Sequence, residues 1–497
     1  MDSVAPPALP LMQRLRSGLG WSLSTTFIGQ VTGFARTLVI ARILLPEDLG
    51  LLAMAVTITT ALSTLTTVRF EQVIVAGRSG SPDELRTDLD TVWTAEVIRS
   101  IGVALLICAV ALPASRFYGE PRVATILPAL ALCLVIRGFQ NIGFVLLTKG
   151  LAFARIFWLE VITNVACLLL TVALAVTMRD VWALVIGLLA TTVFSTVLSY
   201  VLHSYRPHFL LDRGAIGRAI SFGKFVLITE IASYIITTGD NVMVGRMLGA
   251  SKLGVYTLAY TLAGAPIILV TSALGRVLFP AYAEVASDQP EKLGKAVSRA
   301  MHVTSLLLLG IAAPMFLLSD EIVSMLFGNT WTDAGVVLRI LALSVPLRGV
   351  AYMVAVVFFS VNRAREMTFA RIIEPVIFLG VLYPLISTFC LTGAAWAAVI
   401  VFGVACILRT VALGRVIDGA ASKMFRAAAP IIATVTLGGA ITALVLASVE
   451  GVIGRLILGT LLSVAIPLTL LGLIPQQRRF LMNEFAALTG RQARSSP

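Results

Sequence analysis

The chain has 497 residues, 58% of them hydrophobic and 13% charged, and a formal charge of +12. With a mean hydropathy of +0.95, it lies outside the range of soluble globular enzymes and of disordered chains. What remains is an all-α, polytopic membrane protein.

Residues 1–21 lack the short apolar core and small-residue cleavage site of a secretory signal, so the first span is expected to be retained. Apolar runs of roughly 20 residues, each enough to cross a hydrocarbon core of about 30 Å, then recur along the chain. About fourteen spans are predicted: 22–44, 50–68, 92–112, 124–147, 158–178, 181–202, 222–246, 255–278, 302–319, 334–360, 373–391, 393–413, 428–449 and 453–474. They divide into an N-lobe of six (22–202), a cytoplasmic linker (203–221), a C-lobe of six (222–413), two further spans with their preceding loop (414–474), and a cytoplasmic tail (475–497). The two longest loops, 69–91 and 279–301, read as surface helices serving as connectors or gating levers. Ser81-Pro82-Asp83-Glu84 and Asp288-Gln289-Pro290-Glu291 each place a polar residue before a proline and first-turn acids.

The lobes are read from an internal repeat. RTLVIARILLPEDLG at Arg36–Gly50 returns as DNVMVGRMLGASKLG at Asp240–Gly254, 204 positions later, with Arg42 over Arg246, Leu49 over Leu253 and Gly50 over Gly254. Arg137-Gly138 pairs with Arg348-Gly349, and FARI at 153–156 recurs at 369–372. Slowly growing offsets are what small loop insertions do to a duplicated ancestor. Six spans is an even number, so both copies enter from the same side, related by an axis along the membrane normal.

Orientation follows from the loops. With the N-terminus inside, cytoplasmic segments hold 24 Lys and Arg against 7 on the opposite side, which places both termini in the cytoplasm. The net charge is thereby a topology signal, and nucleic-acid binding is not needed to explain it. Cys108, Cys133, Cys167, Cys390 and Cys406 fall within predicted spans without metal-ligand spacing. No phosphate-binding GxxxxGK[ST] loop is present, and Asp88-Leu89-Asp90 sits in a helical loop without a nucleotide domain, so an enzyme is not predicted. No metal and no cofactor is expected.

The chemistry is assigned to charges inside the spans. Seven arginines and no lysine remain there: Arg36, Arg99, Arg137, Arg276, Arg339, Arg348 and Arg409. Each costs roughly 2.5 to 3.5 kcal/mol at mid-bilayer and is expected to face the bundle interior or a water-filled cavity. Arg276 and Arg409 lie near span ends and can snorkel. Arg36, Arg99, Arg137, Arg339 and Arg348 are predicted to line a cationic lumen, with the repeat equivalents Arg137 and Arg348 facing one another. Permanently charged, bidentate guanidinium groups suit a diphosphate or an acidic sugar. Asp240, the repeat equivalent of Arg36, and Glu230 are candidates for coupling or gating, while Glu96 shares a helix face with Arg99 and is expected to pair with it. Gly29 and Gly33 form a GxxxG that permits a close helix contact, and Pro266, Pro314, Pro346, Pro375 and Pro384 are candidate kinks.

The first-span ending ARILLPEDLGLLAMA, its echo GDNVMVGRMLGASKLGVYTLAY and the two FARI segments resemble the Wzx-type polysaccharide flippases. That family belongs to the superfamily containing multidrug (MATE) and lipid II (MurJ-type) exporters. The resemblance covers spans 1 to 12 by motif and the last two by number alone. It implies a MATE/MurJ-like fold and alternating-access translocation, across a bacterial inner membrane, of an oligosaccharide on an undecaprenyl diphosphate carrier, for exopolysaccharide, capsule or O-antigen assembly. It further implies the proton gradient as energy source, with the polysaccharide polymerase and export machinery as partners. Spans 13 and 14 are a candidate groove for the lipid tail. Lipid II flipping, drug antiport and a non-transporting scaffold role are the alternative readings; a span 1 without acids and a basic lumen disfavour antiport.

Overall fold

Hydrocarbon offers backbone N–H and C=O groups no partner, so a chain this apolar satisfies them within helices. The structure, a computed structural model, describes residues 11–66, 82–149, 153–417, 419–475, 477–479 and 482, and among these there are helices and no strands. In chain order they are α1 (Leu11–Ile43), α2 (Pro46–Leu65), α3 (Pro82–Tyr118), α4 (Arg122–Gly138), α5 (Phe144–Lys149), α6 (Phe153–Met178), α7 (Val181–Leu202), α8 (Arg213–Asp288), α9 (Pro290–Leu317), α10 (Ser319–Phe327), α11 (Thr332–Ala342), α12 (Ser344–Ser360), α13 (Ala364–Val416), α14 (Ala420–Leu446) and α15 (Val452–Leu473).

Among the described residues, nine helices are long and apolar enough to cross a membrane, or ten if α11 and α12, bent by 44°, are taken as one span. That bend has a local cause. Pro346 lacks the N–H that would bond the Ala342 carbonyl one turn back, and the chain turns between those residues. Two of the nine are long enough for two crossings: the 59 residues Glu230–Asp288 and the 46 residues Arg371–Val416 would extend about 89 and 69 Å as straight helix. Both long helices contain a non-helical residue, Gly249 (φ 83°) in α8 and Cys390 (φ 51°) in α13.

These breaks fall at or near repeat-equivalent positions. Gly249 is 204 residues after Leu45, the extended residue (ψ 158°) that separates α1 from α2. Gly328 (φ 86°), before α11, answers Gly119 (φ 73°), before α4, and Cys390 lies 211 residues after Arg179 (φ 52°), which separates α6 from α7, five short of the offset of the FARI segments. Where these breaks lie, rather than at the predicted prolines Pro266, Pro314, Pro375 and Pro384, the backbone leaves helical geometry.

The chain divides by contacts into two units, residues 1–257 with 371–394, and residues 258–370 with 395–497. This partition differs from the lobes read from the repeat, because the first part of α8 and the first part of α13 pack with the N-terminal unit. Within that unit the repeated signature packs on itself. A Cβ on Gly50 would lie 1.7 Å from the Ala250 carbonyl oxygen, and one on Gly254 would lie 1.8 Å from the Pro46 carbonyl oxygen. Since Pro46 and Gly50 are the equivalents of Ala250 and Gly254, the contact is reciprocal, backbone on backbone. The predicted GxxxG makes no such contact: a Cβ at Gly33 would meet nothing within 4 Å, and one at Gly29 only Asn164 at 3.8 Å.

The predicted linker is shorter than expected, because α8 already begins at Arg213. Residues 203–212 form an extended strap across α3. Tyr205 OH and the His208 N–H donate to Asp90 Oδ1 at 2.5 and 2.9 Å, the Leu210 N–H to Thr94 Oγ1 at 3.0 Å, and the Asp212 N–H to Thr91 Oγ1 at 3.2 Å. Asp90, singled out in the Asp88-Leu89-Asp90 motif, is thus a buried acceptor for the strap. Of the predicted surface helices, residues 67–81 lie outside the described residues. Pro82 onward is continuous with span 3, and 279–301 is the end of α8 and the start of α9. The C-terminal unit has its own core, in which Tyr282, Val297, Met353, Phe358 and Leu413 are buried together.

Candidate functional site

In the N-terminal unit, α4 ends at Gly138 and the chain resumes helix only at Phe144, which breaks predicted span 4. A helix end leaves carbonyls without intrahelical donors. Here α7 supplies some of them: Thr196 Oγ1 donates to the Ile136 carbonyl at 3.3 Å and Tyr200 OH to that of Phe139 at 2.7 Å. Asn141 stitches the break in place, its Nδ2 donating to the Tyr205 carbonyl of the strap at 2.8 Å and its Oδ1 accepting from the Gly143 N–H at 2.9 Å.

This break opens a cavity of about 400 Å³ with a mixed polar and apolar wall, lined by Ser63, Trp93, Glu96, Arg99, Arg137 and Gln140 among others. That volume falls in the range of small-ligand sites. Its floor is held by a core of Leu89, Val92, Trp93, Val97, Ile142 and Val145. Two predicted site residues, Arg99 and Arg137, are therefore brought together. Their environments differ. Arg99 grips Glu96 with two nitrogens, Nε at 2.9 Å from Oε2 and Nη2 on Oε1, and gives Nη1 to Thr66 Oγ1 at 3.1 Å. Arg137, in the last turn of α4, is exposed to the cavity and its guanidinium has no hydrogen-bond or ion-pair partner among the described residues.

The pocket therefore presents one compensated and one uncompensated guanidinium, with the amide of Gln140 beside them. Such a set accepts an anion and the hydroxyls near it. Gln140 and the buried Asn141 that holds the break escape a search for intramembrane charge, although Gly138 and Gly143 within an apolar run mark the break.

Arg36, Glu230 and Asp240, in the same unit, are not in the wall of this pocket. Arg36 Nη1 donates to Cys167 Sγ at 3.1 Å. Asp240, 1% exposed, accepts from Tyr256 OH at 2.7 Å, and Glu230 sits half-buried on the same helix, ten residues earlier. In the C-terminal unit, Arg339 bonds Ser319 Oγ at 3.1 Å and pairs with Asp320. Arg348 lies between the rings of Tyr260 and Phe402, 4.7 Å from each centroid, with Nη1 buried and unbonded.

A family model described as "Polysaccharide biosynthesis protein" matches residues 39–336, more than half of the chain. The chain belongs to that family. The resemblance to Wzx-type polysaccharide flippases is shown by this match and by the relatives. Within the polysaccharide biosynthesis family, the chain is similar to the succinoglycan biosynthesis transport protein ExoT of Rhizobium meliloti, 26% identical over 66% of this chain and 65% of that protein, just under two thirds of its length. It is similar also to the lipopolysaccharide biosynthesis protein WzxC of Escherichia coli K12, 26% identical over 69% of each. Its fold is that of the lipid II flippase MurJ, with a TM-score of 0.74 at 13% identity over 92% of this chain and 99% of that one. A multidrug MATE transporter in an inward-facing conformation aligns with a TM-score of 0.60 at 20% identity, over 80% of this chain and 96% of that one. The chain is a multi-pass membrane protein with the fold these two structures share.

Proposed function

We propose that this protein flips polyprenyl-diphosphate-linked oligosaccharides from the cytoplasmic to the periplasmic leaflet of a bacterial inner membrane, by alternating access, for assembly of a surface polysaccharide. The observation that carries the reading is the Arg137 guanidinium, uncompensated in a cavity of mixed polar and apolar wall within a membrane-spanning unit. A lone cation in a membrane protein is costly unless an anion visits it. In this reading Arg137 receives a phosphate of the carrier, and Gln140 meets the first sugar.

The same reading takes the chain as fourteen spans in two six-span halves plus two, with α8 and α13 each crossing twice, and both termini cytoplasmic. Undecaprenyl diphosphate is the carrier and the proton gradient the energy source. Glu96 holds Arg99 in an ion pair that an incoming phosphate has to displace. Glu230 and Asp240 are the coupling candidates.

The test is export in a strain lacking the native protein. At equal membrane levels, Arg137→Ala is expected to abolish polysaccharide export, with lipid-linked oligosaccharide accumulating on the cytoplasmic side, while Arg137→Lys restores part of it. Unimpaired export by Arg137→Ala removes this residue from the site. The MurJ-like fold favours lipid II as a second cargo. Rescue of peptidoglycan synthesis after loss of the resident lipid II flippase distinguishes it.

A further inference from the structure

Residues 203–212 join two spanning helices, yet the strap turns apolar side chains outward: Phe209, Leu210 and Leu211 are consecutive and exposed. In water, three such residues in a row are costly. They are also fixed in place. The Phe209 ring packs on Trp93 of α3, centroids 4.8 Å apart, and the bonds from the strap to Asp90, Thr91 and Thr94 keep the run extended along that helix. Its depth follows from α3. Arg116, Glu120 and the exposed Arg122–Glu47 pair mark one edge of the hydrocarbon, and no charge interrupts α3 between Arg116 and Arg99. Thr94 and Asp90 come 22 and 26 residues before Arg116, about 33 and 39 Å along the helix. A core of about 30 Å ends short of them, so the strap lies at headgroup depth. Trp93, Tyr200 and Tyr205, residue types of a membrane–water interface, gather there.

Two cations stand beside the strap. Arg155, in the first turn of α6, and Arg206 are exposed, and neither pairs with a carboxylate among the described residues. Arg206 Nη1 donates to the His203 and Tyr205 carbonyls at 2.6 and 3.0 Å. Burial, then Arg155 and Arg206, hold the His203 ring toward its neutral form, so both guanidinium groups bear on one spot at the start of the strap. The strap's one acid, Asp212, lies at its other end. A phosphate suits two such groups.

We propose that the strap is a membrane-surface anchor: Phe209, Leu210 and Leu211 enter the headgroup–acyl boundary of the bilayer, and Arg155 and Arg206 hold the phosphate of an anionic phospholipid there. An apolar run flanked by basic residues is what an anionic membrane surface attracts. At this depth the neighbour is lipid, which argues against a soluble protein as the occupant. Because Asn141 ties the strap to the rim of the Arg137 pocket, the anchor also holds that rim in place. This contact is independent of what the protein transports.

In full-length protein with the five native cysteines replaced, a nitroxide is attached through Leu210→Cys, Leu211→Cys or, as an aqueous reference, Gln289→Cys, an exposed position between α8 and α9. The protein is reconstituted in phosphatidylcholine vesicles with or without phosphatidylglycerol. Power-saturation EPR then compares collisions with oxygen, which partitions into lipid, and with a nickel chelate, which stays in water. With phosphatidylglycerol, the nitroxides at 210 and 211 are expected about 5–10 Å below the phosphates, and the one at 289 in water. Without it they should move outward, and excess inorganic phosphate should not restore their depth. Arg155→Gln combined with Arg206→Gln should remove the difference between the two lipid mixtures. Nickel contact at 210 and 211 equal to that at 289 overturns the anchor and leaves the run to a soluble partner. A depth that is the same in both mixtures, or that free phosphate restores, overturns the headgroup contact.

Discussion

Glu96 decides what the pocket offers. By taking Arg99 through two nitrogens it leaves Arg137 as the cation without a protein counter-charge, and it sets a threshold that an incoming phosphate has to cross to recruit the second guanidinium. Replacing it by Gln removes the charge and frees Arg99. Glu96→Gln is therefore expected to tighten binding of inorganic pyrophosphate by about tenfold, equivalent to about 1.4 kcal/mol. Isothermal titration calorimetry at one pH measures this, and weaker binding by the variant would remove Glu96 as a gate. The half-exposed pair itself contributes on the order of 1 kcal/mol to folding. The Glu96–Arg99 pair was legible in the sequence from its i, i+3 spacing. The difference between Arg99 and Arg137 was not, since it depends on where α4 breaks. A second titratable residue lies just past α7: His203, pushed below its usual pKa of 6.5 by burial, and further by Arg155 and Arg206. Its Nδ1 accepts from the Tyr205 N–H at 3.0 Å, which requires the neutral ring. A depressed histidine stabilises the fold fully above pH 6.5 and loses that contribution as pH falls below it towards the folded pKa. Protection of the Tyr205 amide against exchange is expected to fall between pH 7.5 and 5.5, and to be low across that whole range in His203→Ala.

At the scale of elements, two features do what the sequence assigned elsewhere. The strap is one. The sequence marks 203–221 only as a cytoplasmic linker; residues 205–212 give three backbone N–H groups and one hydroxyl to Asp90, Thr91 and Thr94, so the entry to α8 is tied to α3 and, through Asn141, to the rim of the pocket. Asp90→Ala leaves Tyr205 OH and the His208 N–H without their acceptor, at about 1–3 kcal/mol. Limited proteolysis should then cut near residue 208 in the variant and spare the wild type. The reciprocal glycine contact is the other. The repeat announced that Gly50 and Gly254 are equivalent; that each meets the other copy's backbone is tertiary information no single segment contains. A Cβ less than 2 Å from a carbonyl oxygen cannot be absorbed by a rotamer change, so Gly50→Ala and Gly254→Ala are each expected to cost about 3 kcal/mol or more and to lower the yield of monodisperse protein in size-exclusion chromatography. Gly33→Ala, in the GxxxG predicted from sequence, meets open space and is expected to gain up to about 1 kcal/mol from helix propensity.

Over the whole molecule, apolar run length and periodicity carried the fold class, and the offset of 204 carried the duplication, because both are properties of sequence order. Length alone misleads where helices run on through a turn: α8 and α13 each contain a break hidden between helical stretches on either side, and the positive φ of Gly249 and Cys390 marks it. We propose two crossings for each long helix, since Gly249 answers Leu45 one repeat earlier and Cys390, like Arg179, breaks its helix at positive φ. If α8 and α13 each cross twice and the Lys and Arg excess lies in the cytoplasm, then Gly119, Arg179, Gly249, Gly328 and Cys390 all mark turns on the periplasmic side, whereas Asn362 and Ser422 lie on the cytoplasmic side. In a background with the five native cysteines replaced, single cysteines at Met178 and Thr330, both exposed beside such turns, are expected to react with a membrane-impermeant maleimide in intact spheroplasts. A cysteine at Ser422 should react only after the membrane is opened. A cysteine replacing Ser251, next to the Gly249 break, decides the count: labelling from outside requires α8 to turn back there, and labelling only from inside would reduce α8 to a single crossing and reverse every span after it.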